Sequence, residues 1–263
     1  MFKPAARNFP AAVAAGFGYG SHVAWMRGFA EVGRDRMHLA IAEAADLNNP
    51  FEFAFARYLG AMLLLFLREF EEARSAAAAA VALCDKHGFQ QFAASARIFL
   101  GVAEAACGDP GSGIRTASAG LGGIEEIGAQ IAMTIFLSWF AQALALDGRV
   151  PKALDMVEQA LEVNPGELSW RPDALRIRGE LRLRLGHTDA AESDFREAIA
   201  LAEKIGAKAW KLRASTSLSR LLQARGDSTA ARGLLAPIYY WFTEGFDTHD
   251  LKDAKALLDE LGN

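Results

Sequence analysis

Near its end the chain places apolar residues at Leu251, Ala254, Leu257, Leu258 and Leu261, with Lys252, Asp253, Lys255, Asp259 and Glu260 between them. Spacings of three and four put the first set on one face of a helix and the second on the other. No segment alternates apolar and polar residues for more than a few positions, so the pattern predicts helices throughout and no strands. The bulk composition agrees, because Ala and Leu dominate the apolar residues while Val, Ile and Thr are sparse.

The polar breaks between helical runs recur. Leu185-Gly186-His187-Thr188-Asp189 is a turn between two such runs, with small residues at Gly179, Ala191 and Ala198, respectively seven before, five after and twelve after Gly186. The same offsets around Gly148 give Ala141, Ala153 and Ala160; around Gly108 they give Gly101, Gly113 and Gly120; around Arg68, Ala61, Ala73 and Ala80. Gly226 gives Ser219 and Ala231, with Ile238 in the last slot. Gly33 gives Ala45, with Met26 and His38 departing from the rule. The six turns lie 35, 40, 40, 38 and 40 residues apart. Offsets of five and twelve differ by two helical turns, so both small residues face one way. Antiparallel helices approach to about 8–10 Å only where such positions carry little side chain. Each unit is therefore a helical hairpin that must stack on its neighbours to bury its apolar faces.

The expected architecture is all-α: a right-handed α-solenoid of about six hairpins forming a single domain over residues 1–263, with a capping helix at about 249–261. Second helices should stop at Gly88, Gly128, Gly206 and Gly245, where a left-handed residue can cap them, and at Pro50 and Pro165. Asp109-Pro110 marks a helix opening, and Thr188 and Ser228 are expected N-caps, with Asp247 or Thr248 opening the final helix. Tyr239, Tyr240, Trp241 and Phe242, just after Pro237, are expected to sit around the last second helix as a structural plug.

Charge adds little. Lys and Arg number 28 against 32 Asp and Glu, and a net charge of −4 argues against broad nucleic-acid binding. Residues 171–225 carry 12 basic and 7 acidic side chains, a local +5, which leaves −9 for the remainder. Cys84 and Cys107 have no metal or redox spacing and read as reduced thiols of a cytoplasmic protein. The start, MFKPAARNFPAAVAAGFG, has the basic residue and apolar run of a leader, but Pro10, Gly16 and Gly18 interrupt the run. The most apolar segment, Ala61 to Leu67, falls short of the ~20 residues of a membrane span, so no membrane partner is expected.

The offsets of small residues resemble those of the tetratricopeptide (TPR) repeat, although the period here is nearer 40 than 34 and the family's first-helix aromatics are mostly absent. The run from Gly166 to Leu261, beginning GELSWRPDALRIRGELRLRLGHTDAAESDFREAIALAEKIGAKAW, further resembles the carboxy-terminal helical region of bacterial signalling proteins. In those proteins such a region follows a class III adenylate or guanylate cyclase domain, or a DNA-binding domain, and a signal-transduction ATPase. The resemblance extends loosely back to about Pro50. It implies the regulatory end of such a machine without its catalytic parts, because the chain has no G-x-x-x-x-G-K-[ST] string. The nearest, Gly111-Ser112-Gly113-Ile114-Arg115-Thr116, lacks the lysine.

No residue pattern calls for catalysis, a metal or a cofactor. His22, His38, His87, His187 and His249 are isolated, and no serine sits in a G-x-S-x-G elbow. Glu71-Glu72 and Glu125-Glu126 read as exposed pairs. The resemblance instead implies a concave groove lined by first helices. The family's offsets place Phe55, Tyr58, Met62 and Leu65 there, then Ser95, Ile98 and Val102, then Ile135, Ser138 and Gln142. Asp173, Arg176 and Glu180, followed by Arg213, Thr216 and Arg220, complete it. An apolar end grading into a charged, partly basic end suits a protein or peptide partner with an apolar anchor and acidic residues. Packing against a second copy is another use of the same positions. The reading is thus a non-catalytic interaction module of bacterial signalling, with a small-ligand sensor controlling a cyclase, ATPase or transcription regulator as the alternative.

Overall fold

A computed structural model describes residues 10–262, with side chains from residue 15 onward. The first nine residues, whose basic start suggested a leader, lie outside it. The described residues form thirteen helices and no strand. They divide into two compact units: residues 10–25 with Ala30–Ala129, and Met26–Phe29 with residues 130–262.

Within the first unit lie α1 (Pro10–Met26), α2 (Ala30–Asp46), α3 (Pro50–Leu67), α4 (Phe70–His87), α5 (Gln90–Ala106) and α6 (Pro110–Ile127). The second holds α7 (Met133–Leu146), α8 (Val150–Val163), α9 (Arg171–Arg184), α10 (Thr188–Lys204), α11 (Lys208–Ala224), α12 (Ser228–Tyr239) and α13 (His249–Glu260). Within each unit consecutive helices pack together, from α2 to α6 and from α7 to α13, and alternate helices such as α3 and α5, or α9 and α11, also touch.

Backbone punctuation explains the regularity. Positive φ recurs every twenty residues from Gly28 through Asn48, Arg68, Gly88, Gly108 and Gly128 to Gly148, and resumes at Gly186, Gly206, Gly226 and Gly245. At Gly88 the left-handed cap lets Phe89 N donate to Cys84 O (2.9 Å) and Gly88 N to Asp85 O (3.3 Å), which satisfies the last carbonyls of α4.

The first turn is a correction. Gly33 lies inside α2, buried, and the turn is at Gly28, whose φ is +98°. Applied to Gly28, the offsets give Ser21, Gly33 and Ala40, all buried, so the apparent departures at Met26 and His38 vanish. A Cβ at Gly33 would stand 3.1 Å from the Ser21 carbonyl oxygen. The turn spacing becomes 40 residues from Gly28 to Arg68, matching the next two.

The small slots elsewhere are buried as the offsets require: Ala61, Ala73, Ala80, Ala141, Ala153, Ala160, Ala191, Ala198 and Ala231 each show 0% exposure. Approach is closest between α5 and α6, where a Cβ on Gly101 would lie 2.3 Å from Gly113 O and one on Gly120 2.6 Å from Ala94 O.

Other terminal details differ from the sequence pattern. Gly16 and Gly18 do not interrupt α1, and Gly18 instead admits Leu59, whose Cδ1 would be 2.5 Å from an added Cβ. Pro50 opens α3 behind Asn49, whose side chain accepts from Phe51 N (3.0 Å). Thr188 and Ser228 are first helical residues; the caps precede them, at His187 and at Asp227, which accepts from Ala230 N (2.9 Å). Pro237 has no amide donor, and α12 stops two residues later at Tyr239, well before Gly245. The aromatic run therefore divides. Tyr239 and Phe242 are buried with Leu212, Leu235 and the apolar face of α13, whereas Tyr240 (71% exposed) and Trp241 (40%) face outward. Lys208 Nζ lies 5.4 Å from the Trp241 ring centroid.

Among the described residues one helix, Pro50–Leu67, is long and apolar enough by length and composition to cross a membrane, and 61% of it is buried inside the protein.

Candidate functional site

In the first unit the groove positions fall on α3 and α5. Tyr58, Met62, Leu65, Ser95, Ile98 and Val102 are all buried, and Phe55 is half-buried, so this face is core more than open groove. Stacking of α3 on α5 covers them: Tyr58 packs on Phe99 with ring centroids 5.1 Å apart and on Phe92 at 5.4 Å. Burial pushes the Tyr58 hydroxyl well above its usual range, opposed by a hydrogen bond with Ser95. Beside Phe55, two exposed rings that are not among the predicted positions stay outward. Phe55 contacts Tyr19 (5.8 Å), Phe51 (6.4 Å) and Phe92 (5.2 Å), and Tyr19 and Phe51 are 57% and 43% exposed.

In the second unit the predicted positions lie on α7, α9 and α11. Ile135 and Ser138 are fully buried, Ser138 donating to Thr134 O at 2.6 Å, and Gln142 is half-buried. On α9, Arg176 Nε donates to Asp173 Oδ1 at 2.6 Å and Arg176 Nη1 to Glu180 Oε1 at 2.8 Å; Ser217 of α11 donates to the same Glu180 oxygen at 2.9 Å. Spacings of three and four residues make the first two contacts possible along one helix. Burial opposes the charge on Arg176, but Asp173 and Glu180 outweigh it and raise its pKa. Burial likewise works against the Glu180 carboxylate, which Arg176 and Ser217 nevertheless hold below the usual range. Both groups stay ionised as a pair. Thr216 is buried and donates to Leu212 O (2.9 Å). Arg213 meets Asp250 of α13 at 2.8 Å and lies 5.1 Å from the Trp210 ring centroid.

The expected basic end is thus largely neutralised from within. Asp173 and Glu180 both pair with Arg176, and Asp250 pairs with Arg213. Arg220 is exposed and has no carboxylate partner among the described residues. Asp173, 1% exposed, keeps one oxygen, Oδ2, without a donor. Charge reversal at Arg176 or Arg213 would strand a buried carboxylate and destabilise the fold, so those two residues are poor probes of binding.

A second ionic cluster lies off this face. Asp194 on α10, 3% exposed at its side chain, accepts from Arg178 (2.6 Å) and Arg182 (2.8 Å), and Arg182 also reaches Glu158 of α8 at 3.3 Å. The cluster ties α8, α9 and α10 together and is satisfied internally. An aspartate between Ala191, Phe195 and Ala198 on an otherwise apolar helix face is the sequence signal for it.

Histidines and cysteines are dispersed. His22 is buried and donates from Nε2 to Leu59 O at 2.9 Å, while His87 and His187 are exposed beside turns. Burial lowers the His22 pKa to about 4, the Leu59 contact opposing. Cys84 is buried, and burial raises its pKa to about 11; Cys107 is half-buried and also raised, by burial first. Among the described residues no three His, Cys, Asp or Glu side chains group to hold a metal ion.

No family model matches the chain. The uncharacterized protein R02095 of Rhizobium meliloti (strain 1021) is 30% identical over 190 residues, which is 71% of this chain and 18% of that protein. The chain therefore spans less than a fifth of that relative. Among solved structures, NprR in complex with its cognate peptide NprX superposes with a TM-score of 0.69 at 11% identity, covering 99% of this chain and 72% of that one. Rap protein complexed with competence and sporulation factor gives 0.65 at 10% identity, covering 95% and 74%. The signal-transduction ATPase PH0952 of Pyrococcus horikoshii, which has a tetratricopeptide repeat sensor, gives 0.66 at 15%, covering 98% and 38%. At such identities the likeness concerns the fold alone, which is all-helical and TPR-like.

Proposed function

We propose that this chain is a non-catalytic, TPR-like interaction module of bacterial cytoplasmic signalling that receives a segment of a protein partner on its first helices. The observation that carries the reading is the α9–α11 face, where one exposed cation, Arg220, has no carboxylate partner among the described residues. An acidic side chain of a bound segment supplies that partner through a charge-assisted hydrogen bond. Complexes of TPR-like neighbours with a cognate peptide and with competence and sporulation factor support this use of the fold. The repeat sensor on a signal-transduction ATPase supports placing it at the regulatory end of an ATPase- or cyclase-containing machine. In the first unit the outward rings of Tyr19 and Phe51 form a separate apolar surface suited to an aromatic or aliphatic anchor.

Selection from a random twelve-residue peptide library tests the proposal. Wild-type protein should enrich sequences containing Asp or Glu, and Arg220→Glu should lose that enrichment at unchanged helicity. Enrichment that is the same for both proteins, or absent from both, contradicts it.

A further inference from the structure

The first unit holds a cleft of about 180 Å³ between α2, α3 and α4. Gly60, Ala61 and Ala76 are among its lining residues and carry little side chain. Met37, Ile41, Leu64 and Leu67 supply apolar wall. Charge lies at the edge. Arg34 is paired with Glu69 and contributes no net charge. Arg57 and His38 are exposed, and the Arg57 guanidinium stands 5.5 Å from the Phe53 ring centroid with no carboxylate partner among the described residues.

From this arrangement we infer that the cleft is a binding site for a small aliphatic carboxylate, tail inward and carboxylate at Arg57. The inference stands independently of the partner-binding role. An apolar wall favours a hydrocarbon tail, and the unpaired guanidinium selects an anion over a neutral or cationic head. At the ~30 Å³ that a water molecule occupies in the liquid, the volume takes about six heavy atoms, which suits a tail of five carbons with the head outside. The carboxylate belongs either to a free fatty acid or to an apolar carboxy-terminal residue of a polypeptide, and the two differ in the branching of the tail.

Methyl nuclear magnetic resonance on the whole chain, labelled at Met and Ile methyl groups, tests this directly. Hexanoate and N-acetyl-leucine represent the two sources, with hexylammonium as the control of opposite charge. Saturable shifts of Met37 and Ile41 with either carboxylate, absent with hexylammonium, are expected, and the tighter carboxylate identifies the source. Arg57→Gln should weaken that affinity by about three- to tenfold, in keeping with loss of one exposed charge-assisted contact. Ala76→Leu, which fills the cleft, should abolish the shifts. The assignment is overturned if neither carboxylate shifts Met37 and Ile41, if hexylammonium does so equally, or if Arg57→Gln binds as well as wild type.

Discussion

Replacing Gly101 by alanine should destabilise the protein, although alanine is the better helix former. The added Cβ would stand 2.3 Å from Gly113 O, 2.5 Å from Ala117 N and 2.8 Å from Ala117 Cβ, and the first two are backbone atoms that no rotamer change can move. Relief requires α5 and α6 to separate by on the order of 1 Å along a seam that also contains Gly120. Overpacking of this kind costs about 1–3 kcal/mol, and a rigid backbone obstacle places the cost toward the upper end. The gain from removing a helical glycine returns about 0.5–1 kcal/mol, leaving a net loss near 2 kcal/mol. For a chain of this size, that loss lowers the melting temperature by about 4–8 °C. Gly122 supplies the control: it lies in α6 with nothing within 4 Å of an added Cβ. Gly122→Ala should therefore keep only the propensity gain and raise the melting temperature by about 1–4 °C. Melts followed by circular dichroism at the helical band decide the matter. Equal shifts of the same sign for the two variants would refute the claim that the missing Cβ at residue 101 sets the spacing of α5 and α6.

Two further predictions concern single elements. His22 titrates near 4 when folded and near 6.5 when unfolded, so the unfolded chain takes up the proton first. Its contribution is intact above about pH 6.5 and declines as pH falls toward 4, by about 3 kcal/mol in all. Urea midpoints of wild type and His22→Gln, which keeps a donor for Leu59 O, should converge between pH 7 and pH 4; parallel curves would contradict this. Truncation after Gly245 removes Leu251, Ala254, Leu257 and Leu258 from the cluster around Leu235, Ile238 and Phe242. The truncated protein should bind a hydrophobic dye and self-associate in light scattering, and a monodisperse, equally stable product would show that α13 covers nothing essential.

The helical hairpins were legible in the sequence because they rest on local rules: turn residues at positive φ and small residues two helical turns apart. Gly33 shows the limit of those rules. Glycine serves both as a residue that tolerates positive φ and as a contact without a Cβ, and composition alone does not say which. The chain uses Gly28 for the first purpose and Gly33 for the second. The aromatic run divided for a related reason, since Pro237 ends α12 before Tyr240 and Trp241 can join it. Helix offsets assign groove positions to a face and carry no information on depth. Tyr58 and Ile98, on α3 and α5, are covered by helix stacking. The pairing of Arg213 with Asp250 links residues 37 apart in sequence, which periodicity within one helix does not reveal. An aspartate on an apolar helix face marks Asp194, but its partners Arg178 and Arg182 lie on another helix, which the same periodicity does not reveal.

The claim that a partner segment is received on the first helices of the second unit is tested most directly by amide hydrogen exchange, with and without a saturating peptide from the library selection. Added protection should concentrate in α9, residues 171–184, and α11, residues 208–224, with α10 and α12 unchanged. Protection confined to α10 and α12, or absent at saturation, would contradict the account.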